Sequence, residues 1–439
     1  MRSLKKSVSD TSIEELYALK IKSFWRALKK EHFSFLFLCA YYLFEYVRPQ
    51  ALYPVIDILP WAQLFLILTL VSLFSDKSIT GVKHPLNKLF ILFILVVFLS
   101  SIAAYYPSIS WKFRNIMLSW LLVYFLTIHI VNTEKRFFLF LVLYLLFSLK
   151  MGQHGFFDWM RRGFSFAGYG LIGSPGWFRN SGEFAIQMLI FGSLALAFVA
   201  TLKGYWGKYK KYILYAAAAT GYICVVGASS RGSQIGLAII FILFSLKIKN
   251  GFKGLIGISI LGYLLYSILP DEQMSRFVDM GEDMSSLQRL EYWKIGFTLI
   301  EEHPILGIGY KNWVAVITDI YPAGVPPLNI VEVSHSIYIE AAAELGLLGL
   351  FLFILMALFA FIANAKTRKT LCQHNDKLLY NISYALDAGL IGYLVAGAFV
   401  TVLTYPFFWI QLAMIVTLNN VASKINIKKE LKEVKSLKN

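Results

Sequence analysis

His335 and eight arginines are the residues of this chain whose types and settings point most directly to chemistry. His335 stands in Val333-Ser334-His335-Ser336, just before a long apolar run. Ser334 predicts a helix N-cap, with His335 in the first turn. The partial positive charge of a helix N-terminus disfavours imidazolium, and a neutral ring can take a proton from a hydroxyl nucleophile. The plainer alternative is an interfacial histidine bonded to a loop carbonyl. Arginine adds a second signal. Of 30 lysines, 26 fall in the two tails and in every second loop between apolar runs, together with Arg2, Arg26, Arg136 and Arg368. Arg48, Arg114, Arg161, Arg162, Arg179, Arg231, Arg276 and Arg289 fall in the other loops. Positive residues favour the cytoplasmic side, so eight exported arginines need a reason. Guanidinium is permanently charged and fork-shaped, which suits phosphate and carboxylate. The pattern predicts an extracytoplasmic site for an anionic, phosphorylated substrate.

Arg231 lies in the short turn Ser229-Ser230-Arg231-Gly232, too tight for a loose solvent arm, which favours a ligand over lipid-headgroup anchoring. Arg179, in Gly176-Trp177-Phe178-Arg179-Asn180, suits diphosphate and headgroups equally. Arg161 and Arg162 are further candidates for diphosphate, but Phe156 and Trp159 beside them favour interfacial anchoring. Arg48, followed by Pro49, and Arg114 read as structural or lipid-facing. Glu340 and Glu344 share one helical face and are expected as buried partners of an arginine. Gly346 and Gly349 are expected to let helices approach closely. The pairs Asp271-Glu272, Glu282-Asp283 and Glu301-Glu302 raise a metal-dependent alternative, but adjacent acids in a polar loop read as solvated surface. There is no metal-ligand spacing, phosphate loop or nucleotide fingerprint. No metal and no cofactor are expected, and the energy for reaction should reside in the substrate.

The elements holding these residues are membrane helices. With 439 residues, 57% hydrophobic and 15% charged, the chain reads as polytopic rather than soluble. Its +16 charge sits in tails and short loops, a topology signal and not a nucleic-acid face. Apolar runs at 33–48, 58–75, 87–105, 115–131, 136–150, 183–202, 211–228, 232–248, 254–269, 337–363, 382–402 and 404–421 predict an all-α protein of about 12 transmembrane helices. The fifth run is short. An even number with lysine-rich tails places both termini in the cytoplasm, and the first span is expected to be an uncleaved anchor. The layout is a basic tail at 1–32, spans 1–9 over 33–269, a long exported loop at 270–336, spans 10–12 over 337–421 and a second basic tail at 422–439. Residues 151–182 form another exported segment. Within the long loop, Leu287, Leu290, Trp293, Phe297 and Ile300 recur at helical spacing, predicting an amphipathic helix at 286–300 near the outer interface. Cys39, Cys224 and Cys372 are too scattered for a disulfide framework or a metal site.

From His335 the chain reads His-Ser, nine residues, Gly346, two residues, Gly349. With the preceding exported loop, the Ser229–Gly232 turn and the Arg289 segment leading to His303-Pro304-Ile305-Leu306-Gly307-Ile308-Gly309, this resembles the bacterial O-antigen ligases. Their superfamily includes O-antigen polymerases and protein O-oligosaccharyltransferases. Phe44-Glu45-Tyr46-Val47-Arg48-Pro49 is similar to a subgroup associated with exosortase systems. The resemblance implies a GT-C-like fold and transfer of a glycan from undecaprenyl diphosphate to a sugar hydroxyl of lipid A–core, at the periplasmic face of the inner membrane. It implies His335 as the catalytic residue, and Arg231 and Arg289 as ligands of the donor diphosphate. The family's loop arginine is often followed four residues later by leucine, whereas Arg289 is followed by Trp293. Expected partners are the lipid-linked donor, a lipid A–core or other glycan acceptor and membrane lipids, with no nucleic acid. A polymerase or protein glycosyltransferase shares this chemistry, and a flippase for an anionic lipid-linked glycan is the rival from another class.

Overall fold

The computed structural model describes residues 11–165, 170–245, 256, 284–320, 331–373 and 375–437, and among them every regular element is helical. Two short helices, α1 (Ile13–Tyr17) and α2 (Ile21–Lys29), precede α3 (Phe33–Tyr46), α4 (Pro49–Leu52) and α5 (Trp61–Leu73). The chain continues through α6 (Pro85–Ile102), α7 (Pro107–Ile130), α8 (Glu134–Arg161), α9 (Ser181–Leu202), α10 (Lys208–Gly227) and α11 (Arg231–Ser245). Beyond residue 283 come α12 (Met284–Glu302), α13 (Trp313–Ile320), α14 (Ile337–Gln373), α15 (Lys377–Gly397) and α16 (Pro406–Leu437).

Local chemistry sets several of these starts. Proline opens α6 and α7, where its missing N–H costs nothing. Thr133 caps α8 by accepting from the Arg136 N–H at 3.2 Å. Asn180 and Glu183 form a reciprocal capping box on α9.

Seven described helices, α6 to α9 and α14 to α16, are long and apolar enough to cross a membrane, and α5 and α11 are apolar but shorter. Every predicted apolar run falls on a helix except 254–269, which apart from residue 256 lies outside the described residues, as does Arg276. One expectation changes. The run at 136–150 does not end a short span, because α8 continues unbroken through residues 151–161 of the segment expected to be exported loop. No residue there breaks a helix, and the chain turns only at Gly163 and Phe164, both with positive φ.

Helix α9 lies at the centre, against α10 and α15, while α14 packs on α6 and α16 packs on α7 and α14. At the α9–α10 contact a Cβ on Gly221 would stand 2.8 Å from Gly192 Cα, so neither helix tolerates a side chain there.

The loops gather at two ends. At the lysine-rich end Arg136 joins three segments: its Nε donates to Glu31 at 2.7 Å, and its Nη1 donates to Asp76 at 3.1 Å and to Ser78 Oγ at 2.9 Å. Lys210 donates to the Ala18 carbonyl and Lys424 to the Asn132 carbonyl at the same end. At the opposite end Ser174 Oγ donates to the Tyr46 carbonyl, Ser110 Oγ to the Tyr310 carbonyl and Trp120 Nε1 to the Thr404 carbonyl. The second group is where the arginine-bearing loops meet.

Candidate active site

The opposite end is organised around a break in α14. Gly346 has φ 71° and ψ 178°, which divides the helix after Leu345. The segment 303–312 crosses the gap. Its Ile308 N–H donates to the Ala343 carbonyl at 2.8 Å and its Gly309 N–H to the Glu344 carbonyl at 3.1 Å. In return Leu347 N–H donates to the Pro304 carbonyl at 2.7 Å. Helix carbonyls and amides orphaned by the break are thus satisfied by the loop. A Cβ on Gly346 would lie 2.1 Å from the Ile305 carbonyl oxygen. The glycine therefore admits a loop, where helix-on-helix approach was expected.

Glu340 and Glu344 clamp this crossing. Both are buried as expected, but their cation is Lys311 and not an arginine. Lys311 Nζ bonds Glu340 Oε1 at 3.1 Å, and Glu344 accepts the N–H groups of Lys311 at 2.9 Å and Trp313 at 3.2 Å. Glu340 also accepts the Leu403 N–H at 3.0 Å. Burial disfavours the Lys311 ammonium, but the two carboxylates outweigh it and hold its pKa above the ordinary lysine value.

Helix α12 covers the predicted 286–300 stretch, with a different inward face. Tyr292, Ile295 and Leu299 are buried against Ile308, Trp313, Val316 and Ile339. Leu287, Leu290 and Phe297 of the anticipated apolar stripe are exposed. The helix carries apolar side chains on two faces, and spacing alone does not tell which one turns inward.

His335 precedes the helix. Helix α14 starts at Ile337, Ser336 occupies the capping position, and His335 has φ 51°. Ser334, expected as the cap, instead directs its hydroxyl to the Ser336 carbonyl and to Thr401. The histidine strap hangs from three aromatic side chains. Trp293 Nε1 donates to the Ser334 carbonyl at 3.2 Å, Trp313 Nε1 to the Glu332 carbonyl at 3.0 Å, and Tyr292 Oη accepts from the Glu332 N–H at 2.8 Å. The imidazole Nε2 lies 3.0 Å from Glu332 Oε2. Burial pushes the His335 pKa down, the Glu332 hydrogen bond pulls up, and the Arg289 charge pushes down again, for a net value below the ordinary one. The neutral ring expected from a helix terminus thus arises chiefly from desolvation.

Two arginines converge here. Arg231 opens α11, half-buried, and its Nη2 donates to Ser286 Oγ at 3.3 Å. Gly232 beside it faces Phe399, leaving no room for a side chain. Arg289 lies one turn beyond Ser286 on α12 and acts on His335 by charge. Ser286, Arg289 and Tyr292 recur three apart, on one face. An imidazole whose proton affinity is lowered beside Arg289, with Arg231 held to the same helix one turn away through Ser286, is an arrangement able to deprotonate a hydroxyl and hold an anionic leaving group.

Residues 213–354, about a third of the chain, match the family model for O-antigen ligase. The resemblance to O-antigen ligases is shown over that stretch. No curated protein matches the chain. The matched stretch contains Arg231, Arg289, His335 and the whole loop-and-break assembly.

The other candidates stand apart from it in sequence. Arg162 bonds Asp158 at 3.1 Å and the Gly170 carbonyl at 3.1 Å, tying the end of α8 to the following loop. Arg161 is exposed in the last turn of α8, and Arg179 is exposed just before the α9 cap. Arg48 packs over Gly176, where a Cβ would meet its guanidinium. Among the described residues no three His, Cys, Asp or Glu side chains converge as a metal site. Asp271, Glu272, Glu282 and Asp283 lie outside those residues, and Glu301 and Glu302 are exposed. Sequence reasoning passed over Glu332, Trp313 and Lys311, whose only signal was their place in the loop around His335.

Proposed function

We propose that the chain is a membrane glycosyltransferase of the O-antigen ligase type. It moves a glycan from undecaprenyl diphosphate to a sugar hydroxyl of lipid A–core at the periplasmic face of the inner membrane. The convergence of Arg231, Arg289 and His335 on α12, within the ligase-like stretch, is the observation that carries this reading. His335 takes the acceptor proton, and the two arginines offset charge on the departing diphosphate without a metal. Arg179, Arg161 and Arg162 are secondary candidates for the donor. The lysine-rich end, with both tails, faces the cytoplasm.

The test is transfer by purified protein given lipid-linked donor and lipid A–core, with and without excess EDTA. A glycan-transfer product that persists under chelation is expected. Product only with a growing glycan or a protein acceptor would assign a polymerase or protein glycosyltransferase instead. The broken span favours one reading from another class, because transporters use discontinuous helices. In this chain the break is filled by residues 304–309, and translocation without transfer is the result that would favour a flippase.

A further inference from the structure

We propose that Glu332 is a positioning residue for His335: its carboxylate accepts the Nε2–H, leaving Nδ1 as the nitrogen that takes the acceptor proton. The inference rests on His335 being the base. A carboxylate has only acceptor oxygens, so the 3.0 Å contact with Nε2 selects the tautomer protonated there.

The pair is built into the fold. The Glu332 N–H is held by Tyr292 and its carbonyl by Trp313, and both aromatic residues are buried in the cluster beneath α12. Trp293 holds the peptide immediately before His335. His335 itself sits at φ 51°, a conformation that costs an ordinary residue energy and persists where neighbours over-determine it. The Glu332 carboxylate is itself solvent-exposed, so the anchored backbone on both sides of it, and not burial, holds it against the half-buried ring. Among the described residues, the ionisable groups facing the imidazole are Glu332 from the strap and Arg289 and Tyr292 from α12.

In the reaction the acceptor O–H proton passes to Nδ1, and the hydroxyl oxygen bonds the anomeric carbon of the donor sugar. The bond from that carbon to the diphosphate oxygen breaks, and its electron pair leaves with the diphosphate. Imidazolium then returns its proton to the diphosphate or to water. Glu332 stabilises the transient imidazolium without exchanging a proton itself.

The experiment combines two readouts on the full-length protein in detergent. In ¹⁵N-histidine-labelled protein, with the His335 signals assigned by their loss in His335→Gln, the wild type should show an Nε2–H tautomer at pH 8. Glu332→Ala should lose that preference. In the transfer assay Glu332→Ala should fall at least about 10-fold in kcat with donor KM little changed. Removing a carboxylate that raises the His335 pKa lowers that pKa, so the acid limb of the pH–rate profile should move to lower pH. Glu332→Gln keeps an acceptor oxygen and should recover most of the rate while its acid limb stays shifted. An unchanged tautomer in Glu332→Ala, or an unchanged rate and acid limb, overturns the pairing. Absence of transfer by the wild type overturns the ligase reading and the role of Nδ1 with it, and the spectrum still reports whether Glu332 holds the ring.

Discussion

Trp293 Nε1 donates to the Ser334 carbonyl at 3.2 Å, so the residue four places after Arg289 grips the peptide that leads into His335. One helix therefore carries an arginine beside the histidine and the indole that sets the histidine's backbone. A leucine at 293 would have no donor for this bond. In this chain the tryptophan ties α12 to the histidine strap.

Trp293→Phe should keep the ring contact with Phe399 and lose only the donor. Folding should change little, by about 1 kcal/mol for one hydrogen bond. Transfer should drop by the corresponding factor of about five. Thermal unfolding and initial rates, measured together, check it; an unchanged rate would show that the strap needs no indole.

His335→Ala should cut transfer by about 10² or more while expression and melting temperature stay near wild type. Normal ligation by this variant in a complementation assay would remove the histidine from the mechanism.

Arg231→Lys and Arg289→Lys keep the charge and discard the fork. At a diphosphate site each should cost about 10-fold in rate, the worth of one charge-assisted hydrogen bond. A headgroup anchor would accept lysine, so full activity of both variants would move these arginines from the donor to the lipid interface.

Gly346→Ala should destabilise the protein. Alanine is strained at φ 71°, by roughly 1–3 kcal/mol for the backbone alone, and its Cβ would collide with the Ile305 carbonyl. A lower melting temperature in detergent and loss of activity are expected. A melting temperature equal to wild type would mean that the loop does not cross the break so closely.

Acid should weaken the lysine-rich end first. Burial acts to raise the Asp76 pKa, but hydrogen bonds from Ser34 and Ser78 and the Arg136 charge overcome it and hold the carboxyl down at about 2. A depressed folded pKa contributes stability that is complete above the ordinary aspartate value and is lost as pH falls through the folded one. The contribution is roughly 2 kcal/mol, fading from about pH 4 to 2. Unfolding of wild type and Asp76→Asn across that range should converge as pH falls, and parallel curves would contradict the assignment.

The helices were legible because lipid leaves the backbone few alternatives, and apolar runs of about 20 residues leave little else to form. The histidine and the two arginines were singled out by residue type, by the departure of arginine from the lysine pattern and by the resemblance to O-antigen ligases, and their roles in transfer are proposals. Spacing in α12 revealed a helix, but both Tyr292-Ile295-Leu299 and Leu287-Leu290-Phe297 are apolar rows. Only packing against Trp313 and Ile339 selects the first for the interior.

What the sequence by itself determined is the helical class, the two sets of loops and the identity of the charged and basic groups, since these follow from local composition and periodicity. Tertiary structure alone decided the rest. Lys311 pairs with Glu340 across 29 positions, and Arg231 meets Ser286 across 55. The left-handed turn at His335 is imposed by indoles from two other helices, not by its own side chain. Gly346 is a helix break here because loop residues supply the hydrogen bonds that the helix gives up. Each of these depends on a partner distant in the chain, and local propensity carries no record of which distant partner will arrive.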